Sequence, residues 1–600
     1  MATSTIRIKT DTTANWQATN RVLEYKEIAI EVRTNGKKAF KTGDGVTGWN
    51  KLPYLFDPEW VEKEVSTANR YAANAAAALA SCEAVLAEIA DKTVRRYGVR
   101  WLASSTAAKG TRLGDAARIT KAGGQIGETV NENEFDGIYP WNSMRRCNGE
   151  WNLETGLFEV KAYEFGTDGV KNPEFKTDGS NGNVWVEIPL FWAKHIYDTQ
   201  KEEKWVSGSP GDGYYIPKKL QRSMLRGQNK TYIAAFRASE DTNGHMVSVA
   251  GAIPKWGSFN SFMQAYKAEG TGLSGTTSED EEIIDLLMDV EFATRDQQAV
   301  MQGETGRYWG NDKKAQLTEE NTNRIILTNA DAANFKAGEQ IGVGTTCDNR
   351  NVFDSRTVTE VKVFNDAHMA VVFDGTPVNI TAQTHCITNM PNKTGTTEEL
   401  TAPSGTVLND ARHDCRYRYI ETPYGKQFDI IHDLLINDYQ TYFCTDMHGG
   451  NYGNTITDYY EPVGYKNAQE NGAYIRNMGF DERYPHIKNP VETGNGASTT
   501  AGFCALYSSD AGLRVVWRGG NLNNGRNAGR SYSNCNNTPS NANANRGSRR
   551  SLTQFVIVYR TACRRWKSTR RETGGQKLTV AASEILRGTE ERADMGDACG

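Results

Sequence analysis

The segment GGNLNNGRNAGRSYSNCNNTPSNANANRGSR, residues 519–549, lies between two strongly apolar runs, Val515-Val516-Trp517 and Phe555-Val556-Ile557-Val558-Tyr559. Ten asparagines (521, 523, 524, 527, 534, 536, 537, 541, 543 and 545) fall within twenty-five positions, and almost nothing apolar separates them. Asparagine is poor in helices and strands because its amide competes with the backbone for partners. The segment is therefore expected to be an irregular surface excursion pinned at both ends by core strands. Three uses compete. Low-complexity disorder is disfavoured by Gly519, Gly520, Gly525, Gly529, Pro539 and Gly547, which look like ordered turn positions. A passive loop of this length is uncommon. A recognition face is the third use, since each amide offers two donors and two acceptor lone pairs.

The totals set outer bounds. A chain of 600 residues is too long for one ordinary domain. With 38% apolar and 24% charged residues it can build packed cores. A formal net charge of -4 argues against a dedicated nucleic-acid binder. No run approaches the length of a membrane-spanning helix, and MATSTIRIKTD lacks the apolar core of a signal peptide. Ten cysteines without a C-x-x-C pair disfavour both a zinc site and a disulfide scaffold. Synthesis in a reducing cytoplasm is the expectation.

Along the chain, residues 1–56 read as a small β module. In EIAIEVRTNGKKAFKTGDG, Ile28, Ile30 and Val32 alternate with polar residues, and Asn35-Gly36 marks a hairpin. Such a unit is marginal alone and calls for neighbours. Residues 57–96 read as a helix. Val61, Val65, Ala68, Ala72, Ala75, Leu79, Cys82, Leu86 and Ile89 are spaced alternately by 4 and 3, the repeat of a left-handed coiled coil. One amphipathic helix on its own core is the alternative; self-association is the reading adopted. Residues 97–134 read as a connector. A large unit over 135–562 contains the strand NVWVEIPLFWAK (183–194) and a helix opened by a capping box at Ser278-Glu-Asp-Glu281. Within it, 313–404 reads as an all-β insertion, either a spacer or a second carbohydrate-binding module. Residues 563–600 read as a tail whose basic cluster is a solvated face.

WRGGNLNNGRNAG followed by NNTPSNANANRGSR resembles the variable region of proteins diversified by retroelements. Trp517, Arg518, Gly519, Gly520, Ala528, Gly529, Pro539, Ser540, Gly547 and Arg549 match that family's skeleton. Two positions depart from it: Leu522 stands where tryptophan is common, and Ser548 where an aromatic follows the glycine. The resemblance implies adenine mutagenesis, for which asparagine codons are the substrate that randomises widely without creating stops. GIYPWNSMRRCN, NVWVEIPLFWAK, LLMDVEFATRDQQAVMQGETG and RYRYIETPYGKQFDIIHDL are similar to segments of the C-type lectin-like domain of such proteins, a fold related to formylglycine-generating enzymes. The N-terminal stretch, above all GDGVTGWNKLPY, resembles the module of phage tail fibres and of the major tropism determinant family. The implied architecture is α+β and multidomain: a small β module, a coiled-coil helix, and a C-type lectin-like domain carrying the insertion.

The implied function is that of a phage tail fibre protein at the virion tip, attaching to a bacterial surface receptor, protein or glycan. The implied partners are two further copies in a homotrimer and other tail or baseplate proteins; no cofactor, metal, nucleic acid or membrane insertion is expected. The receptor-binding positions would be Asn521, Leu522, Asn523, Asn524, Arg526, Asn527, Arg530, Ser531, Tyr532, Asn534, Asn536, Asn537, Asn541, Asn543, Asn545 and Arg546. Their scaffold would be Trp517, Arg518, Gly519, Gly520, Gly529, Pro539 and Gly547. Arg526, Arg530, Tyr532 and Arg546 are the expected energetic anchors, since arginine and aromatic residues dominate binding energy. Enzymatic readings are weaker. Cys415, Cys444, Cys504 and Cys535 match no redox motif, and His432, Cys444 and His448 have no zinc-site spacing. The rival is a depolymerase cutting surface polysaccharide, which needs a convergent carboxylate pair that the dispersed Asp and Glu residues do not single out.

Overall fold

Glycine takes positive φ at little cost, so Asn35-Gly36 can close a hairpin. Gly36 has φ +78, and the strands Ile28–Val32 and Lys38–Thr42 pair antiparallel from Ile28↔Thr42 to Val32↔Lys38. The computed structural model describes residues 8–59, 61–63, 65–66, 74, 94–103, 105–152, 157–270, 272–447, 450–494 and 506–553. Over these residues the chain is multidomain and mostly β, built from several sheets.

The first sheet adds Lys9–Thr12 parallel to Ile28–Val32, with Tyr54–Phe56 on the far edge. Its small core stacks Trp16 on Trp49 at 4.4 Å between ring centroids, with Leu23, Ala29 and Leu52 around them. The alternation expected of Ile28–Val32 is present with the opposite face inward. Ala29 and Glu31 are buried, whereas Ile28 is exposed and Ile30 and Val32 are half-buried. Glu31 is accommodated because the Thr13 and Tyr54 hydroxyls donate to it at 2.7 and 2.8 Å. In the segment expected to form a coiled coil, residues 58, 59, 61–63, 65, 66 and 74 are helical. Of the seam, Val61 is half-buried and Val65 exposed, while Ala68, Ala72, Ala75, Leu79, Cys82, Leu86 and Ile89 lie outside the described residues.

Residues expected to form a connector instead enter the main body. Arg96–Leu102 lies between Thr111–Gly114 and Lys201–Ser207 in a four-stranded sheet completed by Trp192–Tyr197. Tyr97, Val99 and Trp101 are its buried face, and the alternating pattern RYGVRWL carried that signal despite its glycine. NVWVEIPLFWAK forms two strands, Asn183–Pro189 and Trp192–Tyr197, in different sheets, divided after Pro189.

The helix Ser278–Phe292 is buried along its whole length. Its N-cap is Thr277, one residue ahead of the expected Ser278, and the box closes between Thr277 and Asp280. Seven of its fifteen residues are acidic, and a buried carboxylate without a partner is costly. Six have cationic partners: Arg222 for Glu279, Lys219 for Asp280, Arg530 for Glu281, Lys488 and Arg530 for Asp285, Lys204 for Asp289, and Arg418 for Glu291. Glu282 has no ion-pair partner among the described residues.

The largest sheet has nine strands, running Tyr460–Lys466, Gln440–Cys444, Phe428–Asn437, Leu513–Gly519, Gly529–Asn537, Leu506–Ser509, Asn471–Met478 and Pro490–Gly494, with Arg546–Gly547 beside Phe428–Asn437. One face packs Phe259, Phe262 and Tyr266 of the helix Phe259–Ala268 against Phe428, Trp517 and Tyr532. The other buries Ile431, Phe443, Ile475, Tyr507 and Val516. Between residues 313 and 404 the chain forms a five-stranded sheet and a two-stranded ribbon around a core of its own, including Ile325, Leu327, Val343, Val371 and Phe373. The strand expected over 553–560 and the tail 563–600 lie outside the described residues apart from Thr553.

Candidate recognition face

The asparagine-rich segment begins as the strand Leu513–Gly519 leaves the sheet and a tight turn follows. Gly519 and Gly520 have φ +86 and +77, and a Cβ on Gly520 would sit 2.8 Å from Ala528. Only glycine satisfies both demands, which accounts for the Gly-Gly pair and for the small residue at 528. A short helical turn, Gly525–Asn527, leads into the strand Gly529–Asn537. That strand corrects the expectation of an irregular excursion. It pairs with Leu513–Gly519 on one side and Leu506–Ser509 on the other, and this ladder outweighs the low strand preference of asparagine.

The asparagine side chains largely build turns and bond one another. Asn524 Oδ1 accepts from the Asn521 amide at 2.8 Å, and Asn521 Oδ1 from the Asn523 amide at 3.1 Å. Asn537 Nδ2 donates to Asn534 and Asn536 at 2.7 and 2.5 Å, and Asn541 Nδ2 to Asn537 at 2.9 Å. Neighbouring parts hold the backbone: Gln298 Nε2 donates to the Ala528 carbonyl at 2.6 Å, and the Arg307 amide to the Leu522 carbonyl at 2.7 Å. The β insertion reaches the segment through Asp348, which accepts from Asn543.

Exposure divides the expected receptor-binding positions. Asn523, Arg526 and Asn541 are exposed; Asn524, Asn527, Ser531, Asn534, Asn536, Asn537, Asn543 and Asn545 are half-buried. Asn521, Leu522, Arg530, Tyr532 and Arg546 are buried and cannot present side chains to a partner in this conformation. Three of the four expected anchors are thereby corrected, for a common reason: each satisfies a demand of the interior. Arg530 bridges Asp285 at 2.8 Å and Glu281 at 3.0 Å on the buried helix and donates to the Pro423 carbonyl. Tyr532 packs against Phe428 at 5.2 Å, and burial pushes its phenol up to about 12. Arg546 covers Trp517. Arg526 alone stays outside, its side chain 53% exposed and held at 2.5 Å by Asp296. All seven scaffold residues, Trp517, Arg518, Gly519, Gly520, Gly529, Pro539 and Gly547, are buried.

The cysteines weighed for redox work are set deep. Burial raises the Cys415 thiol and pushes Cys444 and Cys535 up to about 12, which keeps them protonated at neutral pH. Cys504 and His448 lie outside the described residues.

A feature missed in the sequence adjoins this face. A cavity of about 180 Å³ is walled by the helix Ser278–Phe292, the hairpin of Trp192–Tyr197 with Lys201–Ser207, and residues 475–488, and Ser531 contributes to it. Glu202, Glu282, Asp285 and Asp289 all line it. Their convergence was partly legible, because positions 282, 285 and 289 share one helix face. The residues from the hairpin and from 475–488 come from distant parts of the chain. Glu202 is held well below the usual carboxylate range by Lys204 and Arg295, with His195 at 3.0 Å. Glycoside hydrolysis uses two available carboxyls. Here Glu202, Asp285 and Asp289 are tied to Lys204, Arg295, Lys488 and Arg530, whereas Glu282 has no ion-pair partner among the described residues. No protein-family model matches the chain, and no curated protein matches it.

Proposed function

We propose that this chain is a phage receptor-binding tail protein that attaches the virion to a bacterial surface through its asparagine-rich face. The observation that carries this reading is a division of labour within one short segment. Buried Arg530, Tyr532, Arg546 and the Gly519-Gly520 turn fix the backbone, while Asn523, Arg526 and Asn541 project where exchange leaves the core unaffected. Such a design suits a site whose side chains vary between otherwise identical proteins, in agreement with the resemblance of the segment to retroelement-diversified variable regions and of the lectin-like segments to their scaffolds.

The exposed set is poor in aromatic anchors, so a single site binds weakly. Linking copies compensates, since a second contact is made at an effective concentration of order millimolar and avidity rises by roughly 10² to 10⁴. A homotrimer joined by the helical seam would supply that linkage. On the N-terminal module Tyr25, Val46, Leu55 and Phe56 are exposed and are available to such contacts. Its partners on the virion would be other tail or baseplate proteins.

Whole-cell binding tests the reading. Replacing Asn523, Arg526 and Asn541 together by serine should abolish attachment to the host while lowering the unfolding midpoint less than Arg530→Ala does. Attachment at wild-type level would refute it.

A further inference from the structure

The cavity beside Ser531 is lined by two buried polar groups that are only partly engaged. Glu282 and His486 are 6% and 5% exposed and both line it. Glu282 Oε1 accepts from the Tyr215 hydroxyl at 2.8 Å, but Glu282 Oε2 and His486 Nε2 have no hydrogen-bond partner among the described residues. Among the described residues with buried side-chain atoms lacking a partner, these two are the ones that line this cavity, where a ligand could offset the desolvation cost. Glu282 is the same carboxyl that lacks a cation on a helix where the other six acids have one.

The remaining charges in the wall are already engaged. Lys204 holds Asp289 at 2.5 Å, Arg295 holds Glu202, Lys488 holds Asp285, and Arg476 holds Glu492 at 3.1 Å. No cation is left over to select an anion. A cation would face Lys204, Lys488 and Arg295 across a small space. Burial pushes His486 down to about 4, so it is neutral at neutral pH, and raises the Glu282 carboxyl to about 7, so a large share of it is protonated and able to donate as well as accept. The rest of the wall mixes aliphatic residues such as Leu286, Ile475 and Met478 with the aromatic Trp101, Tyr197 and Phe480. Phe480 meets His195 at 4.8 Å and Tyr197 at 6.0 Å between ring centroids, and Trp101 lies beneath the Arg295 guanidinium. At about 180 Å³ the cavity is smaller than the roughly 300–1,000 Å³ of drug-sized pockets.

We infer that this cavity binds one neutral, hydroxyl-rich ring, a single sugar residue, with Glu282 and His486 bonding its hydroxyls and Phe480 covering its apolar face. Ser531, half-buried on the strand Gly529–Asn537, contributes to the wall, so exchange at this position alters access. The inference stands on the cavity and does not require the attachment reading.

Saturation-transfer NMR on the full chain tests it, with the methyl glycosides of glucose, galactose, mannose, rhamnose, N-acetylglucosamine and N-acetylgalactosamine as probes. At least one should bind with millimolar Kd. His486→Phe, which keeps the ring packed against Phe443, should weaken binding roughly tenfold, the equivalent of one good hydrogen bond. Phe480→Ala should do the same, and Ser531→Trp should remove binding with the unfolding midpoint unchanged. Failure of every probe to bind at tens of millimolar would overturn the inference. So would binding that survives both His486→Phe and Ser531→Trp. Because the measurement uses no cells, its failure is distinct from failure of host attachment.

Discussion

The Arg546 guanidinium lies over the face of Trp517, its central carbon 3.9 Å from the ring centroid. A residue of the asparagine-rich segment thus clamps the strand Leu513–Gly519, and Arg546 also reaches back to Asn541. Burial lowers the guanidinium to about 10, so it stays charged at neutral pH. Arg546→Ala is expected to lose about 2 kcal/mol of folding stability, from the cation–π contact and the packed stem. Arg546→Lys should recover only part of it, because an ammonium does not stack flat. Urea unfolding at constant m-value checks both, and an unchanged midpoint for the alanine variant would remove the clamp.

Arg530 and Arg526 sit four residues apart and should behave oppositely. Arg530→Ala leaves Asp285 and Glu281 with less compensation inside the protein, a loss of about 3–5 kcal/mol. Arg526→Ala removes an ion pair between a half-exposed guanidinium and the buried Asp296 carboxylate and should cost less than Arg530→Ala, about 1–2 kcal/mol. Its main effect should fall on attachment. Equal stability losses in the two variants would contradict the division between frame and face.

These contrasts show what the sequence could reveal. The Gly519-Gly520 turn and the apolar run at Val515–Trp517 were legible because glycine and strand periodicity are local signals. The phase of Ile28–Val32 was not, since the buried Glu31 accepts from the hydroxyls of Thr13 and Tyr54, eighteen and twenty-three residues away, besides Arg33 at 3.9 Å. The burial of Arg530 depended on a helix some 245 residues earlier. Its sequence surroundings of asparagine and serine look exposed. Pairing across the sheet turned an asparagine-rich run into a strand, a tertiary effect beyond the reach of propensity.

His432 predicts an acid limb in stability. It stacks on Phe259 at 5.2 Å, bonds the Ile430 carbonyl through Nδ1, and burial pushes its pKa down to about 4 from 6.5. A histidine held neutral by folding contributes fully above its unfolded pKa. The contribution is lost as pH falls from 6.5 towards 4, where the unfolded chain takes up the proton first. The difference between wild type and His432→Phe should therefore shift by about 3 kcal/mol across that window. A difference that stays constant with pH would show that the imidazole does not titrate between the two states.

Gly275 is expected to accept no side chain. A Cβ there would stand 2.1 Å from His432 Cε1 and 2.3 Å from the Ser548 hydroxyl, both fully enclosed. Gly275→Ala should cost about 1–3 kcal/mol through overpacking. In the His432→Ala background the penalty should shrink, which a double-mutant cycle reads directly.

The most direct measurement of the central claim is a saturation-substitution scan of positions 521–546, sorted separately for folded protein and for attachment to host cells. The expected result is that Asn523, Arg526 and Asn541 accept nearly all residues for folding while their identity governs attachment. Asn521, Leu522, Arg530, Tyr532 and Arg546 should tolerate few residues for folding. Attachment that ignores the exposed positions, or free exchange at the buried ones, would contradict the account.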